Sequence, residues 1–222
     1  MIVASGARYR RLAVEDLDRF EGAGVYYAAT DLEARICGGS GVIVVGGGNS
    51  AGQAAIYMAE QKCHVSLVVR RNSLTDTMSA YLIQRIEADP RIDVVTETEV
   101  RGVAGETHLS HATLEHTPSG DQRVVECTGL FCFIGAEPAT GWLGDCVALD
   151  RGGFIITDRS LPESVRSGPD YTARAPLPFE TSLPGVFAVG DVRQGSLKRV
   201  AAAVGEGSSA VRSVHEYLAT NT

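Results

Sequence analysis

The chain has 222 residues, of which 44% are hydrophobic and 21% are charged, as is usual for a globular α/β protein. Its net charge of −7 argues against general binding to nucleic acids or to membrane surfaces. No apolar run is long enough to cross a membrane and the first residues do not resemble a signal peptide, so we expect a cytoplasmic protein.

The first predicted elements include a β-α-β unit. One short strand is predicted over residues 2–4, well before a glycine-rich loop. Residues 42–45 are four consecutive β-branched residues, which indicates a buried strand. Three glycines follow, and residues 50–62 then have alanine and methionine at helical spacing. Residues 65–69 are mostly apolar and predict the next parallel strand.

The turn between the first buried strand and the helix has the pattern Gly-x-Gly-x-x-Ala, whose fixed positions are Gly46, Gly48 and Ala51. Such a turn lets bare backbone and the positive end of a helix dipole approach the pyrophosphate of a dinucleotide. Asn49 and Ser50 begin the helix, and we expect Ser50 to cap it and both residues to lie at the phosphates. Taken alone, the pattern also fits a tight strand-to-helix turn without a ligand.

Two arginines follow the second strand of this unit. At this position an NAD site carries Asp or Glu for the ribose 2′-hydroxyl, whereas this chain has Arg70 and Arg71. Because guanidinium groups bind phosphate well, the pair favours the 2′-phosphate of NADP. A solvated pair of surface charges is the alternative.

The elements that follow alternate between helix and strand. A helix is predicted over residues 78–88, because its apolar residues share one face and Pro90 ends it. The continuously apolar residues 130–134 predict a central parallel strand. Short strands, with a hairpin turn at residues 118–121, are predicted between these two elements over residues 94–97, 99–103, 108–117 and 123–127.

The character of the sequence changes near residues 135–145. Residues 159–180 contain four prolines among charged residues, so we expect a long exposed loop. A strand over residues 186–189 and a helix over residues 201–219 are predicted after it. The apolar positions of that helix include Val204, Val211 and Leu218.

Five cysteines are scattered through the sequence without a Cys-x-x-Cys pair. We expect reduced thiols, with Cys63 and Cys132 buried beside strands. His108 and His111 would point to opposite faces of their strand, so no metal site is predicted. No residue is predicted to act as a general acid or base.

Four segments of the chain resemble motifs of flavoproteins of the thioredoxin reductase type, which are class II pyridine nucleotide-disulfide oxidoreductases. The resemblance covers nearly the whole chain, and its most specific motif ends in Gly190 and Asp191. In chain order the four segments are residues 4–7, residues 46–51 with Arg70 and Arg71, residues 133–138, and residues 181–191.

The resemblance implies an α/β fold of two domains. A Rossmann-like three-layer NAD(P)-binding domain with a β-meander, over residues 22–139, would be inserted into a truncated FAD-binding domain of similar fold. Residues 1–21 would be a remnant of the FAD-binding domain and residues 140–222 its C-terminal part. The cofactors implied are NADPH and FAD, and a homodimer is possible.

The resemblance also implies roles for particular residues. Asp191 would bind the ribityl chain of FAD, and the segment after it would lie against the isoalloxazine ring, although its residues differ from those usual in the family. Gly135 lies in the third motif and is a further candidate for cofactor binding. The candidates that the resemblance adds are Gly135, Gly190, Asp191, Lys198, Arg199 and Val200.

Two features of the family are missing from this sequence. The redox Cys-x-x-Cys would fall near residues 26–31, where no cysteine occurs, so the chain cannot run the thioredoxin relay itself. A second glycine-rich motif, which holds the FAD pyrophosphate, is also missing. A fragment, a truncated gene prediction and a second polypeptide that completes the site are the three explanations that the sequence leaves open.

The sequence therefore predicts an NADPH-dependent FAD oxidoreductase, seen here as a fragment that by itself need not be active. Hydride would pass from NADPH to flavin, and electrons would then leave for a small-molecule or protein acceptor without an intrinsic dithiol. One alternative is a non-catalytic NADP-binding module or a degenerate reductase. A remote alternative is a hydrolase, because residues 48–52 fit Gly-x-Ser-x-Gly and Asp191 and His215 follow in the hydrolase order.

Overall fold

The computed structural model describes residues 1–171 and 174–220, and in these ranges the chain forms twelve strands and five helices. The strands β1 to β12 are Ile2–Val3, Ala7–Tyr9, Val25–Tyr26, Gly41–Val45, His64–Val68, Ile92–Val95, Thr98–Gly105, Leu109–His116, Gln122–Glu126, Gly129–Cys132, Ala136–Pro138 and Phe187–Ala188. The helices α1 to α5 are Asp31–Cys37, Asn49–Glu60, Ala80–Ala88, Glu163–Arg166 and Val200–Thr220.

The chain divides into two compact units. One consists of Met1–Tyr9 with Ala136–Thr222, and the other of Arg10–Gly135. The boundaries between these units fall at Tyr9/Arg10 and Gly135/Ala136, and Leu17 and Phe20 are buried in a core of the unit Arg10–Gly135. The domain limits at residues 21/22 and 139/140 stay predictions. The assignment of these units to an FAD and an NADPH domain stays a prediction.

The unit Arg10–Gly135 is built on five parallel strands in the order β3-β10-β4-β5-β6. The apolar run at residues 130–134 does supply the central strand β10, which pairs with both β3 and β4. All five carboxyl ends therefore meet at one edge of the sheet, where α/β proteins bind their ligands.

Each face of this sheet has its own core, because successive residues of a strand point to opposite sides. Val42 and Val44 of β4 pack with residues of α1, α2 and α3. Ile43 and Val45 of the same strand pack with residues such as Leu114 from the meander of β7, β8 and β9. The result is the predicted three-layer α/β fold with a β-meander.

The unit Met1–Tyr9 with Ala136–Thr222 has less regular structure. Parallel β1 and β12 form one pair and antiparallel β2 and β11 another. The helix predicted over residues 201–219 is present as α5. Of its described residues only Ala210 and Ser213 are buried, and Val204, Val211 and Leu218 are exposed. No described helix combines the length and apolar character that a membrane span requires.

The expectation of a long exposed loop over residues 159–180 is met only in part, and residues 172 and 173 lie outside the described residues. The segment contains α4 and two short 3₁₀ turns, and Tyr171 is buried. Glu180 is fully buried and accepts hydrogen bonds from the Arg174 guanidinium and from the backbone N–H groups of Leu177 and Gly185. These polar contacts satisfy the Glu180 carboxylate, so it can be buried outside any strand ladder.

Tyr217 fastens the end of α5 to this packed segment. The Arg174 guanidinium lies over the rings of Tyr171 and Tyr217, 5.5 and 5.2 Å from their centroids. The Tyr217 ring also packs nearly perpendicular to the Phe187 ring, with their centroids 6.4 Å apart. A side chain on Gly185 would come within 2.7 Å of the Tyr217 ring, which explains a glycine there.

Candidate dinucleotide-binding site

The glycine turn connects the end of β4 to the start of α2, at the carboxyl edge of the five-stranded sheet. Gly46 has a φ of +144°, and a Cβ on it would lie 2.5 Å from the carbonyl oxygen of Phe133. Packing therefore requires glycine at this position. Around Gly48 a Cβ would meet nothing closer than 3.9 Å, so packing alone does not explain the second glycine.

The first turn of α2 points its backbone N–H groups away from the helix body. Gly48, and not Ser50 as predicted, is the N-cap residue, and it offers no side chain to those N–H groups. Asn49 and Ser50 are exposed, whereas Ala51 is fully buried against the turn. The N-terminus of this twelve-residue helix thus has no capping side chain, and such a helix end favours anions.

The segment between β5 and α3 packs against the glycine turn. The hydroxyl of Thr77 donates to the carbonyl oxygen of Gly47 at 2.7 Å. The side-chain oxygen of Asn49 accepts from the backbone N–H of Ser79 at 2.8 Å and from its hydroxyl at 3.0 Å. Sequence reasoning missed Thr77 and Ser79, because the contacts span thirty residues and only the density of Ser and Thr in residues 73–79 hinted at them.

Arg70 and Arg71 leave the sheet beside the glycine turn. The register pairs Val45 with Val68, so the residues after β4 and β5 emerge at neighbouring positions of one edge. Both arginines are exposed. Within residues 1–171 and 174–220 neither has an ion-pair partner. Two exposed guanidinium groups therefore lie at the same sheet edge as the start of α2.

Gly135 belongs to the same edge. It follows β10 by three residues, has a φ of +99°, and its carbonyl oxygen accepts from the N–H of Arg10 at 3.0 Å. A Cβ on it would meet nothing within 4 Å, so the space in front of it is open.

The motif that ends in Gly190 and Asp191 lies in the unit Met1–Tyr9 with Ala136–Thr222, and Gly190 is two residues after β12. Gly190, with a φ of +72°, starts a 3₁₀ turn that includes Asp191. The Glu206 carboxylate on α5 accepts from the N–H of Gly190 at 2.7 Å and from the guanidinium of Arg193. Burial disfavours the charged form of Glu206, but these hydrogen bonds outweigh it and hold its pKa below the ordinary value.

The remaining candidates in this unit lie at the start of α5. The ammonium group of Lys198 lies 4.2 Å from the centroid of the Phe154 ring, where a cation–π contact fixes it. Arg199 is exposed, and Val200, the first residue of α5, is 83% exposed. The structure thus brings Gly190 to Val200 together in one segment.

Comparison with known proteins identifies the group to which this chain is related. The sequence pattern of the pyridine nucleotide-disulphide oxidoreductases matches residues 1–207. The chain belongs to this family. The predicted resemblance to the thioredoxin reductase type is thereby confirmed, since several of the similar proteins carry that name.

Among its relatives, the thioredoxin reductases of Treponema pallidum and Streptomyces clavuligerus are 30% and 32% identical to it, each over 99% of this chain. The chain spans only 64% and 62% of those two proteins. The crystal structure of thioredoxin reductase from Streptococcus pyogenes matches 99% of this chain and 65% of that one, with a TM-score of 0.73 and 32% identity.

The resemblance described above would place a redox Cys-x-x-Cys near residues 26–31. This region contains the end of β3 and Thr30, which caps α1. The hydroxyl of Tyr27 donates to the Glu21 carboxylate at 2.9 Å. Burial and this carboxylate raise the pKa of Tyr27 to about 12. The region therefore contains the Tyr27 phenol, which is neutral at neutral pH, and no cysteine.

The thiols of the chain lie elsewhere and are free. Cys146 is exposed, and the other four cysteines are buried. Burial raises the pKa of both Cys127 and Cys132 to about 12, so neither forms a thiolate at neutral pH. No cluster of His, Cys, Asp or Glu among the described residues could hold a metal ion. The buried four are Cys37, Cys63, Cys127 and Cys132.

Proposed function

We propose that this protein is an NADPH-dependent flavoprotein oxidoreductase. The family accounts for the oxidoreductase class. The preference for NADPH is supported by one observation above all: Arg70 and Arg71 follow β5 beside the glycine turn, exposed and without an ion-pair partner in the described part of the chain.

In this proposal the unit Arg10–Gly135 binds NADPH. The N–H groups at the start of α2, from Gly48 to Ala51, donate to the pyrophosphate, and the missing side chain of Gly48 lets it approach. Arg70 and Arg71 bind the 2′-phosphate with charge-assisted hydrogen bonds. Gly135 leaves room for the rest of the dinucleotide at the same sheet edge.

The second unit contributes to the binding of FAD, which when bound supplies the hydride acceptor. Asp191 accepts hydrogen bonds from the ribityl hydroxyls, and Glu206 with Arg193 keeps the turn of Gly190 in its shape. The segment of Lys198, Arg199 and Val200 lies near the ring system, in keeping with the family resemblance.

Electrons then leave for an acceptor that is not this chain's own dithiol. Residues 26–31 contain no cysteine, and four of the five thiols are buried. Thiol exchange needs an accessible thiolate and a resolving thiol. The acceptor in this proposal is a small molecule or a separate protein, and the enzyme acts in the cytoplasm as a homodimer.

A second candidate function is a module that binds NADP without turnover. It is favoured by the absence of cysteine from residues 26–31, where the family resemblance places the redox pair. The visible absorption of the purified protein distinguishes the two candidates. A flavin spectrum that is bleached by NADPH supports the reductase, and a colourless protein that binds NADP⁺ supports the module.

The arginine pair provides the decisive test of the nucleotide. Replacing Arg70 or Arg71 by alanine should raise the Kd for NADP⁺ about tenfold and leave the Kd for NAD⁺ within about twofold, because only NADP⁺ has the 2′-phosphate. Arg123→Ala is the matched control, since it removes the same charge from an exposed position on β9. Isothermal titration calorimetry gives the Kd of the wild type, the two arginine variants and the control for each nucleotide. Equal affinity of the wild type for NADP⁺ and NAD⁺ would contradict the proposal.

A further inference from the structure

We propose that Thr77 and Asn49 are positioning residues that set the preference of the nucleotide site for a 2′-phosphate. The inference rests on the proposed function, because it explains how that site selects NADP. Its subject is the segment of residues 70–79, which we call the arginine loop.

The arginine loop is tied directly to the turn that receives the pyrophosphate. Thr77 donates its hydroxyl to the Gly47 carbonyl oxygen at 2.7 Å. Asn49 uses its side-chain oxygen twice, for the N–H and the hydroxyl of Ser79. That oxygen could not bind a phosphate in any case, because both are hydrogen-bond acceptors. The side-chain oxygen of Asn49 therefore holds the arginine loop against the glycine turn.

The arginine loop is also held by packing and by its backbone. Leu74 and Met78 are 6% and 5% exposed, and a Cβ on Gly52 of α2 would lie 2.8 Å from the Met78 sulfur. At the other end, the carbonyl oxygen of Arg71 accepts from the N–H of Glu97 at 2.9 Å. Both ends of the loop are thus fixed, and the two guanidinium groups project from its first residues.

The link between the arginine loop and the glycine turn should affect the binding of NADP⁺ more than that of NAD⁺. A ligand with a 2′-phosphate must engage the turn and the arginines at the same time, so its affinity depends on the distance between them. A ligand without that phosphate engages the turn alone. Thr77 bonds to the turn itself, in a segment that begins with the arginines. Loss of its hydroxyl should therefore weaken NADP⁺ more than NAD⁺.

Thr77→Val tests the inference, because valine keeps the shape of the side chain and removes the donor. We expect the Kd for NADP⁺ to rise about fivefold and the Kd for NAD⁺ less than twofold, so that the ratio of the two affinities falls. Thr75→Val is the matched control. Thr75 lies in the same loop, but its hydroxyl bonds to Ser73 and not to the turn. Calorimetry with both nucleotides at one ionic strength gives the ratio.

A merely structural role would weaken both nucleotides by the same factor and leave the ratio unchanged, which would overturn the inference. Asn49→Ala provides a second variant with the same readout, should Thr77→Val unfold, and thermal unfolding verifies that each variant is folded. A wild type that prefers NADP⁺, with variants that keep the full preference, refutes the inference alone. A wild type without preference refutes the proposed function and the inference with it.

Discussion

Replacing Gly46 and Gly48 by alanine, one at a time, tests two different reasons why a dinucleotide turn contains glycine. In Gly46→Ala the new Cβ would lie 2.5 Å from the carbonyl oxygen of Phe133 and 3.1 Å from the Cβ of Ala51. The carbonyl belongs to the backbone after β10 and cannot rotate away. In addition, φ at this position is +144°, which an alanine rarely adopts.

The two effects add to a large loss of stability. Backbone strain of this kind costs about 1–3 kcal/mol, and overpacking costs about 1–3 kcal/mol more. We therefore expect Gly46→Ala to lower the free energy of unfolding by about 2–6 kcal/mol, a large part of the ~5–15 kcal/mol of a typical domain. Gly48→Ala should stay within about 1 kcal/mol of the wild type, because the nearest atom is 3.9 Å away and φ is −99°.

For binding the order of the two variants reverses. Gly48→Ala should raise the Kd for NADP⁺ at least about tenfold, because its methyl group occupies the path of the pyrophosphate. Since the chain has two units, hydrogen exchange of β4, β5 and β10 is a better measure of the Gly46 effect than one global transition. Unchanged exchange in Gly46→Ala, or unchanged affinity in folded Gly48→Ala, would refute the reasoning.

Two further predictions concern titratable groups. Burial disfavours the charge on Glu180, but hydrogen bonds from Arg174 and two N–H groups outweigh it and lower its pKa. Its contribution to stability is therefore present above the unfolded pKa of about 4.3 and is lost as the pH falls through the lower folded value. Acid unfolding of Glu180→Gln should accordingly show a weaker pH dependence than the wild type, and an identical acid transition would argue against the buried pair. In the folded protein at neutral pH, a thiol reagent should react rapidly with Cys146 alone, whereas all five cysteines should react in denaturant; fast native reaction at Cys127 or Cys132 would contradict their burial.

The parts of the fold that the sequence predicts well are those determined by residues that are neighbours in the sequence. The buried strands β4, β5 and β10 consist mainly of apolar residues in short, nearly continuous runs, and such runs indicate buried strands. The glycine turn and the arginine pair lie next to those strands, and parallel pairing places them at one edge whatever the rest of the chain does. For this reason the residues of the candidate nucleotide site could be named from the sequence.

The parts that escaped prediction depend on contacts between distant residues. The prolines and charges of residues 159–180 predict an exposed loop. The Glu180 carboxylate is nevertheless buried and bonded to Arg174, and no local pattern in the sequence reveals such a pair. The same holds for Thr77 and Ser79, whose partners lie thirty residues away. Ser50 looked like a helix cap, yet the helix begins earlier, because Asn49 already has helical backbone geometry.

The aromatic anchor at Tyr217 decides how much of the C-terminus can be shortened. Arg174 and Phe187 both pack against this ring, and Gly185 leaves the space for it. A tag or fusion attached after residue 220 leaves the anchor intact. Truncation before Tyr217 would uncover the fully buried Phe187 of β12, so its aromatic side chain would become a point of attack for proteases and for aggregation.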